Sequence, residues 1–221
     1  NPNYTPVFGS EVVKIDKRIV ALTTASDTKM YTGTALTNPN WSYDSDNEGF
    51  VGAQGFETAA TKGTITNVGT TDNTFSYTLK SNTQSADYTI TVVPGTLTVT
   101  PRTVLIAAAD TDKNFGSADP AFTYTVRTGV VGGTTYYPIL AADLAGVTVA
   151  VNRTGSDSAV GTYADVLTPD VTATPAVAAN YAFTTQNGSL TINPQVVYNR
   201  NTTDAVTGFP VTQWFDLGTD A

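Results

Sequence analysis

Cysteine and histidine are both missing from the 221 residues. Their absence excludes disulfide staples, thiol chemistry, Ser-His-Asp and Cys-His nucleophile systems, and zinc held by His or Cys. Glutamate occurs three times, lysine six times and methionine once, so strong helix formers are scarce. The longest apolar run, Val104 to Ala109, falls far short of the roughly 20 residues a membrane-spanning helix needs, and no span is expected here. No charged n-region precedes an apolar h-region, so no secretory leader is expected within this segment. A Gly-x-x-x-x-Gly-Lys-Ser/Thr loop is lacking too, which removes P-loop chemistry. Lys and Arg total 11 against 19 acidic residues, for a net charge of −8. Such a chain repels a polyanion, and no basic cluster interleaved with aromatics offsets this, so nucleic acid is not an expected partner.

What is present is threonine, 42 residues of it, with Val and Tyr: side chains that suit a pleated, half-buried surface. Turns are marked by 18 Gly and 11 Pro. Period-2 alternation predicts strands over Thr74–Leu79, Thr89–Val92, Thr96–Val99, Ala121–Val126 and Gly146–Val151. Between the second and third of these, Pro94-Gly95 reads as a turn, and Asn187-Gly188 at the equivalent place reads as a hairpin dipeptide. Short helical turns are expected only around Gly52–Thr58 and Ile139–Leu144.

The chain repeats itself. Asn3-Tyr4, Asp87-Tyr88 and Asn180-Tyr181 each begin a stretch that aligns without a gap. These stretches run through Val12-Val13-Lys14-Ile15-Asp16-Lys17-Arg18, Leu97-Thr98-Val99-Thr100-Pro101-Arg102 and Leu190-Thr191-Ile192-Asn193-Pro194. The match continues: Lys29-Met30-Tyr31-Thr32-Gly33 answers Lys113-Asn114-Phe115-Gly116, and Val68-Gly69-Thr70 answers Val160-Gly161-Thr162. Tyr4, Tyr88, Tyr181, Tyr31, Phe115, Gly33 and Gly116 are therefore structural landmarks. The boundaries that follow are residues 1–17 as the terminal strand of a preceding module, 18–101 as repeat module 1 and 102–194 as repeat module 2. Residues 195–221 are the start of a further module or a tail, with a strand expected at Val196-Val197-Tyr198 and a turn at Gly208-Phe209-Pro210. Pro101-Arg102 leaves almost no connector between modules, which favours a stiff rod over a flexible string.

These landmarks resemble the MBG-type tandem repeats of bacterial cell-surface adhesins, including the Tyr-Gly-x type. Residues 102–194 fit best, with Lys113-Asn114-Phe115-Gly116, Asp119-Pro120-Ala121-Phe122-Thr123-Tyr124, Asn180-Tyr181 and Gly188-Ser189-Leu190-Thr191-Ile192. Residues 18–101 resemble a sister type, departing by placing Thr32 between Tyr31 and Gly33. The resemblance implies an exported protein of many modules, cell wall-associated or secreted and displayed at the bacterial surface. Its motifs are turn and core residues, so it transfers no ligand-binding residue.

Three places invite chemistry. Asp44, Asp46 and Glu48 form the densest acidic cluster, a candidate for a hard cation such as Ca²⁺ weighed against a solvated turn. Trp41 and Tyr43 alternate on a strand and so share a face, as a sugar-stacking platform or, more ordinarily, as core. Lys29 and Lys113 occupy matching positions, where a Lys–Asn isopeptide crosslink of the kind found in exported stalk domains is weighed against the plainer alternative of a solvated lysine. No cofactor and no catalytic residue is assigned.

The expected fold is mainly β: two tandem immunoglobulin-like β-sandwich modules, or β-grasp-like ones, joined end to end. The expected function is a non-enzymatic stalk whose partners are the neighbouring modules. The alternatives are a module that itself binds a host glycan or protein, and an accessory region of a large secreted hydrolase.

Overall fold

The computed structural model describes residues 9, 15–195, 200–203 and 210–213. Tyr4, most of the 1–17 segment and the strand expected at Val196-Val197-Tyr198 lie outside the described residues. So do Gly208 and Phe209 of the expected turn, whereas Pro210 opens a strand. The chain divides into two units, Asn1–Thr100 and Pro101–Ala221.

In the first unit the strands are β1 (Arg18–Thr24), β2 (Asp27–Met30), β3 (Trp41–Tyr43), β4 (Phe56–Thr61), β5 (Gly69–Asn73), β6 (Phe75–Leu79), β7 (Tyr88–Val93) and β8 (Gly95–Thr100). They form two three-stranded sheets, ordered β3-β1-β7 and β2-β8-β5, and a β4-β6 ribbon. The second unit has β9 (Arg102–Ala108), β10 (Thr111–Asn114), β11 (Tyr124–Arg127), β12 (Gly129–Val131), β13 (Thr134–Tyr136), β14 (Val147–Arg153), β15 (Gly161–Ala173), β16 (Tyr181–Gln186), β17 (Gly188–Asn193), β18 (Arg200–Thr203) and β19 (Pro210–Gln213). Its sheets run β11-β9-β16 and β10-β17-β15-β14, with the pairs β12-β13 and β18-β19.

The repeat in sequence is a repeat in register. Arg18 pairs with Tyr88 in the parallel β1–β7 ladder, and Arg102 pairs with Tyr181 in β9–β16. Asp27 pairs with Leu97 in parallel β2–β8, and Thr111 with Leu190 in β10–β17. Gly69 opposes Val99 and Gly161 opposes Ile192, both antiparallel. The cores coincide as well. Val20, Leu22, Leu97 and Val99 are buried in one unit; Val104, Ile106, Leu190 and Ile192 are buried in the other. Each such side chain contributes about 1.5–3 kcal/mol by leaving water. Ile15 holds the position that Val99 and Ile192 hold in the aligned stretches, yet it is 90% exposed.

The chain is mainly β, as composition predicts, but its pairing is mixed. Parallel ladders join β1 to β7 and β2 to β8 in the first unit, and β9 to β16 and β10 to β17 in the second, whereas the sheets of an immunoglobulin sandwich are antiparallel. Nor does a sheet-covering helix of the β-grasp kind occur among the described residues. Among the described residues the only α-helix is α1 (Pro175–Ala178), four residues long. Of the first expected stretch, residues 52–55 form a turn and 56–58 already belong to β4; in the second, a turn at 141–143 leads into a 3-10 turn at Leu144–Gly146. β11 begins only at Tyr124, after the Pro120 that cannot donate to a ladder.

Pro94-Gly95 and Asn187-Gly188 do not close hairpins. β7 pairs with β1 while β8 pairs with β2 and β5, so the chain passes from one sheet to the other at Pro94. Beside it, β1 passes into β2 at Ala25-Ser26. The glycine is required by closeness: a Cβ on Gly95 would lie 2.4 Å from the Thr24 carbonyl oxygen. On Gly188 it would lie 3.0 Å from the carbonyl oxygens of Ala108 and Ala109. Two backbones crossing side by side leave no room for a side chain between them.

Candidate functional site

The tyrosine landmarks anchor a turn in each unit. Tyr88 is buried; its hydroxyl accepts from the Val51 N–H at 3.1 Å and donates to the Gln54 side-chain oxygen. Tyr181 does the same, accepting from the Leu140 N–H at 3.0 Å and donating to Asp143 Oδ2 at 2.7 Å. In both, the acceptor of the tyrosine proton lies three residues past the N–H donor. The turn is closed by Gln54 N–H to Val51 O at 3.1 Å and by Asp143 N–H to Leu140 O at 2.9 Å.

The ladder partner of each tyrosine reaches the same turn. Arg18 Nε donates to Gly49 O at 2.7 Å, and Arg102 Nε donates to Pro138 O at 2.7 Å. Arg102 also lies over the Tyr137 ring, 5.1 Å from its centre, a cation–π contact. An arginine and a tyrosine, paired at the start of adjacent parallel strands, thus clasp one turn from two sides. The tyrosine half is visible in sequence. The arginine half recurs 84 residues apart in the aligned stretches, and that spacing is the signal by which it can be found.

Other landmarks are also structural. Tyr31 is buried, Phe115 is half-buried, and their N–H groups donate to Thr100 O and Asn193 O, both at 2.8 Å. Gly33 and Gly116 follow with φ of 73° and 76°, the left-handed region that glycine enters without strain. Both arrive at that turn, so the extra Thr32 is absorbed within the loop.

The acidic segment serves β1. Where the β3 pairing ends, its side chains take over as partners of the β1 backbone. Ala21 N–H donates to Asn47 Oδ1 at 3.2 Å, and Ile19 N–H donates to Glu48 Oε2 at 2.5 Å. Asp44 Oδ1 accepts from the Thr23 hydroxyl at 2.6 Å, and Asp46 Oδ1 accepts from Ser45 at 3.4 Å. Among the described residues no three His, Cys, Asp or Glu side chains converge as a metal cage. Beside this segment a cleft of about 460 Å³ is lined by Asp16, Lys17, Glu48 and Asp87 among others. It presents both signs of charge, which selects no single ionic ligand.

Trp41 is half-buried. It packs edge-on near Phe75 at 5.0 Å, Tyr43 at 5.4 Å and Phe56 at 6.2 Å between ring centres. The tryptophan therefore ties β3 to the β4-β6 ribbon. Tyr43 is 44% exposed, and partial burial pushes its phenol pKa above the ordinary value. The exposed face of this cluster is carried by Tyr43 and Tyr77 rather than by Trp41.

The two lysines are braces. Lys29 Nζ donates to Thr34 O at 2.6 Å and Ala35 O at 3.0 Å. Lys113 Nζ donates to Ser117 O at 2.9 Å and Asp119 Oδ1 at 2.7 Å. Each side chain holds its own loop closed, and the acceptors are carbonyls, a hydroxyl and a carboxylate rather than the asparagine amide a Lys–Asn crosslink requires. Arg153 Nη1 adds contacts to Asp119 Oδ1 and Oδ2 at 3.0 and 3.1 Å. Hydrogen bonds from Lys113 and then Arg153 hold the Asp119 carboxyl below the usual carboxylate range.

No helix among the described residues is long and apolar enough to cross a membrane. No curated protein matches the chain, and no solved structure does. Over residues 104–191 the chain matches the family model of the MBG domain (YGX type), which bears out the resemblance drawn from the landmarks of that segment.

Proposed function

We propose that this chain is a non-enzymatic structural region of a bacterial surface protein, built from repeated modules that extend and present other parts of it. The observation that carries this reading is the doubled Arg–Tyr clasp, set on the same ladder register in both units. Repeated geometry of this kind serves to hold a turn rather than to expose reactive groups. Modules 18–101 and 102–194 then follow one another with Pro101 alone between β8 and β9. The exposure of Ile15 supports reading residues 1–17 as the last strand of another module, because that apolar position is buried where a module surrounds it. The MBG match supports an extracellular, surface-displayed location. Small-angle X-ray scattering with and without Ca²⁺ tests the proposal. A long particle unchanged by calcium is expected; a compact or calcium-dependent one overturns it.

A second reading rests on the exposure of Tyr43 and Tyr77, 44% and 37%. Each offers an exposed ring suited to stacking a sugar ring or a partner side chain. Under this reading a Tyr43→Ala variant loses binding on a glycan array while its fold is retained.

A further inference from the structure

We infer that each of modules 18–101 and 102–194 is a mechanical clamp, whose first two and last two strands meet a pulling force in shear; this rests on the stalk reading, because only a tethered spacer is pulled. The basis is topological. The incoming strand, β1 then β2, lies along the outgoing strand, β7 then β8, in parallel through both sheets. Six register pairs join β1 to β7 and four join β2 to β8. The second unit repeats the arrangement, with six pairs between β9 and β16 and four between β10 and β17.

Parallel neighbours have their N-terminal ends together. Tension that draws the start of β1 one way and the end of β8 the other slides the two strands past each other. Every ladder hydrogen bond then resists at once, instead of breaking in turn from one end. Antiparallel first and last strands pulled the same way would unzip.

Side chains staple the crossing between sheets, where the ladder is interrupted. The Thr24 hydroxyl donates to Asn73 O at 2.6 Å and accepts from Gly95 N–H at 2.8 Å. Ser26 Oγ accepts from Thr96 N–H at 2.9 Å, and Asp110 Oδ1 accepts from Ser189 N–H at 2.7 Å in the other unit. Thr100 ends one clamp and Arg102 begins the next, so tension leaving β8 enters β9 through a single residue.

Single-molecule force spectroscopy on the full chain reads this directly, because a chain without cysteine accepts unique thiol handles. Handles at Lys17→Cys and Pro101→Cys pull unit 1 in shear. Handles at Thr32→Cys and Pro101→Cys pull β2 and β8 from the same end, since Tyr31 N–H donates to Thr100 O there, and so peel them apart. The expected result is a several-fold higher unfolding force for the first pair at equal pulling speed, as forced unfolding follows the barrier rather than the equilibrium stability. Equal forces, or a higher force on peeling, overturn the clamp. If a handle disturbs unit 1, Pro101→Cys with Pro194→Cys against Ala118→Cys with Pro194→Cys makes the same comparison in unit 2. A compact particle in scattering would defeat the stalk reading and leave these forces unchanged, so the two failures are distinguishable.

Discussion

A buried tyrosine contributes through its ring by leaving water and through its hydroxyl by fixing whatever it bonds. Tyr181 does both, since its hydroxyl accepts from the Leu140 N–H and donates to Asp143. Tyr181→Phe is expected to cost about 1–3 kcal/mol, the penalty of orphaning part-buried polar groups, measured by urea denaturation. An unchanged midpoint would mean the ring alone matters. The crossing glycines give a graded comparison. In Gly95→Ala the new methyl meets backbone at 2.4 Å, and in Gly188→Ala at 3.0 Å. Backbone cannot swing aside as a side-chain tip can, so the first is expected to cost about 3 kcal/mol or more and the second about 1 kcal/mol. The reverse order in thermal melts would show that the crossing relaxes more readily in unit 1.

At the scale of elements, equivalent loops are held by different chemistry. The lysine loop of unit 1 closes on the carbonyls of Thr34 and Ala35, whereas that of unit 2 closes on the Asp119 carboxylate shared with Arg153. Since the folded-state pKa of Asp119 is lowered, its contribution is fully present above the ordinary carboxylate range and is lost as pH falls through the lowered value. Asp119→Asn should therefore destabilise unit 2 at neutral pH and converge with the parent protein in acid. The difference is below about 1 kcal/mol, because the carboxylate is partly solvated. Denaturation midpoints across a pH series check this, and a gap that persists in acid would contradict it. The loop from Asp44 to Glu48 is expected to be indifferent to Ca²⁺, because Asp44, Asn47 and Glu48 already bond β1. Millimolar calcium should leave the melting temperature unchanged, and a clear rise would restore the cation reading.

For the whole molecule, the proposed modular plan places a separate core in each unit. Leu97 and Leu190 are both fully buried at matching positions. Leu97→Ala should lower hydrogen-exchange protection within Asn1–Thr100 by about 2–5 kcal/mol and leave Pro101–Ala221 as it was; Leu190→Ala should do the converse. Protection lost in both units from either change would argue against independent modules.

The strand content, the repeat and the core positions were legible in the sequence, because each rests on local rules: alternation at period 2, residue type and constant spacing. The tyrosine anchors were legible for the same reason, since Tyr88 and Tyr181 keep their distance from the buried Val99 and Ile192. Pairing was not. Pro94-Gly95 carries the residues of a turn, and only the neighbouring passage of Thr24-Ala25 explains why a glycine sits there instead at a crossing between sheets. Likewise, an acidic run weighed as a cation loop against a solvated turn supplies acceptors for the N–H groups of β1. Period and composition act within a stretch of chain, whereas the parallel strand partners lie 70 to 79 residues apart. Which backbone an acceptor meets, and whether a ladder runs parallel or antiparallel, is decided only when distant segments pack.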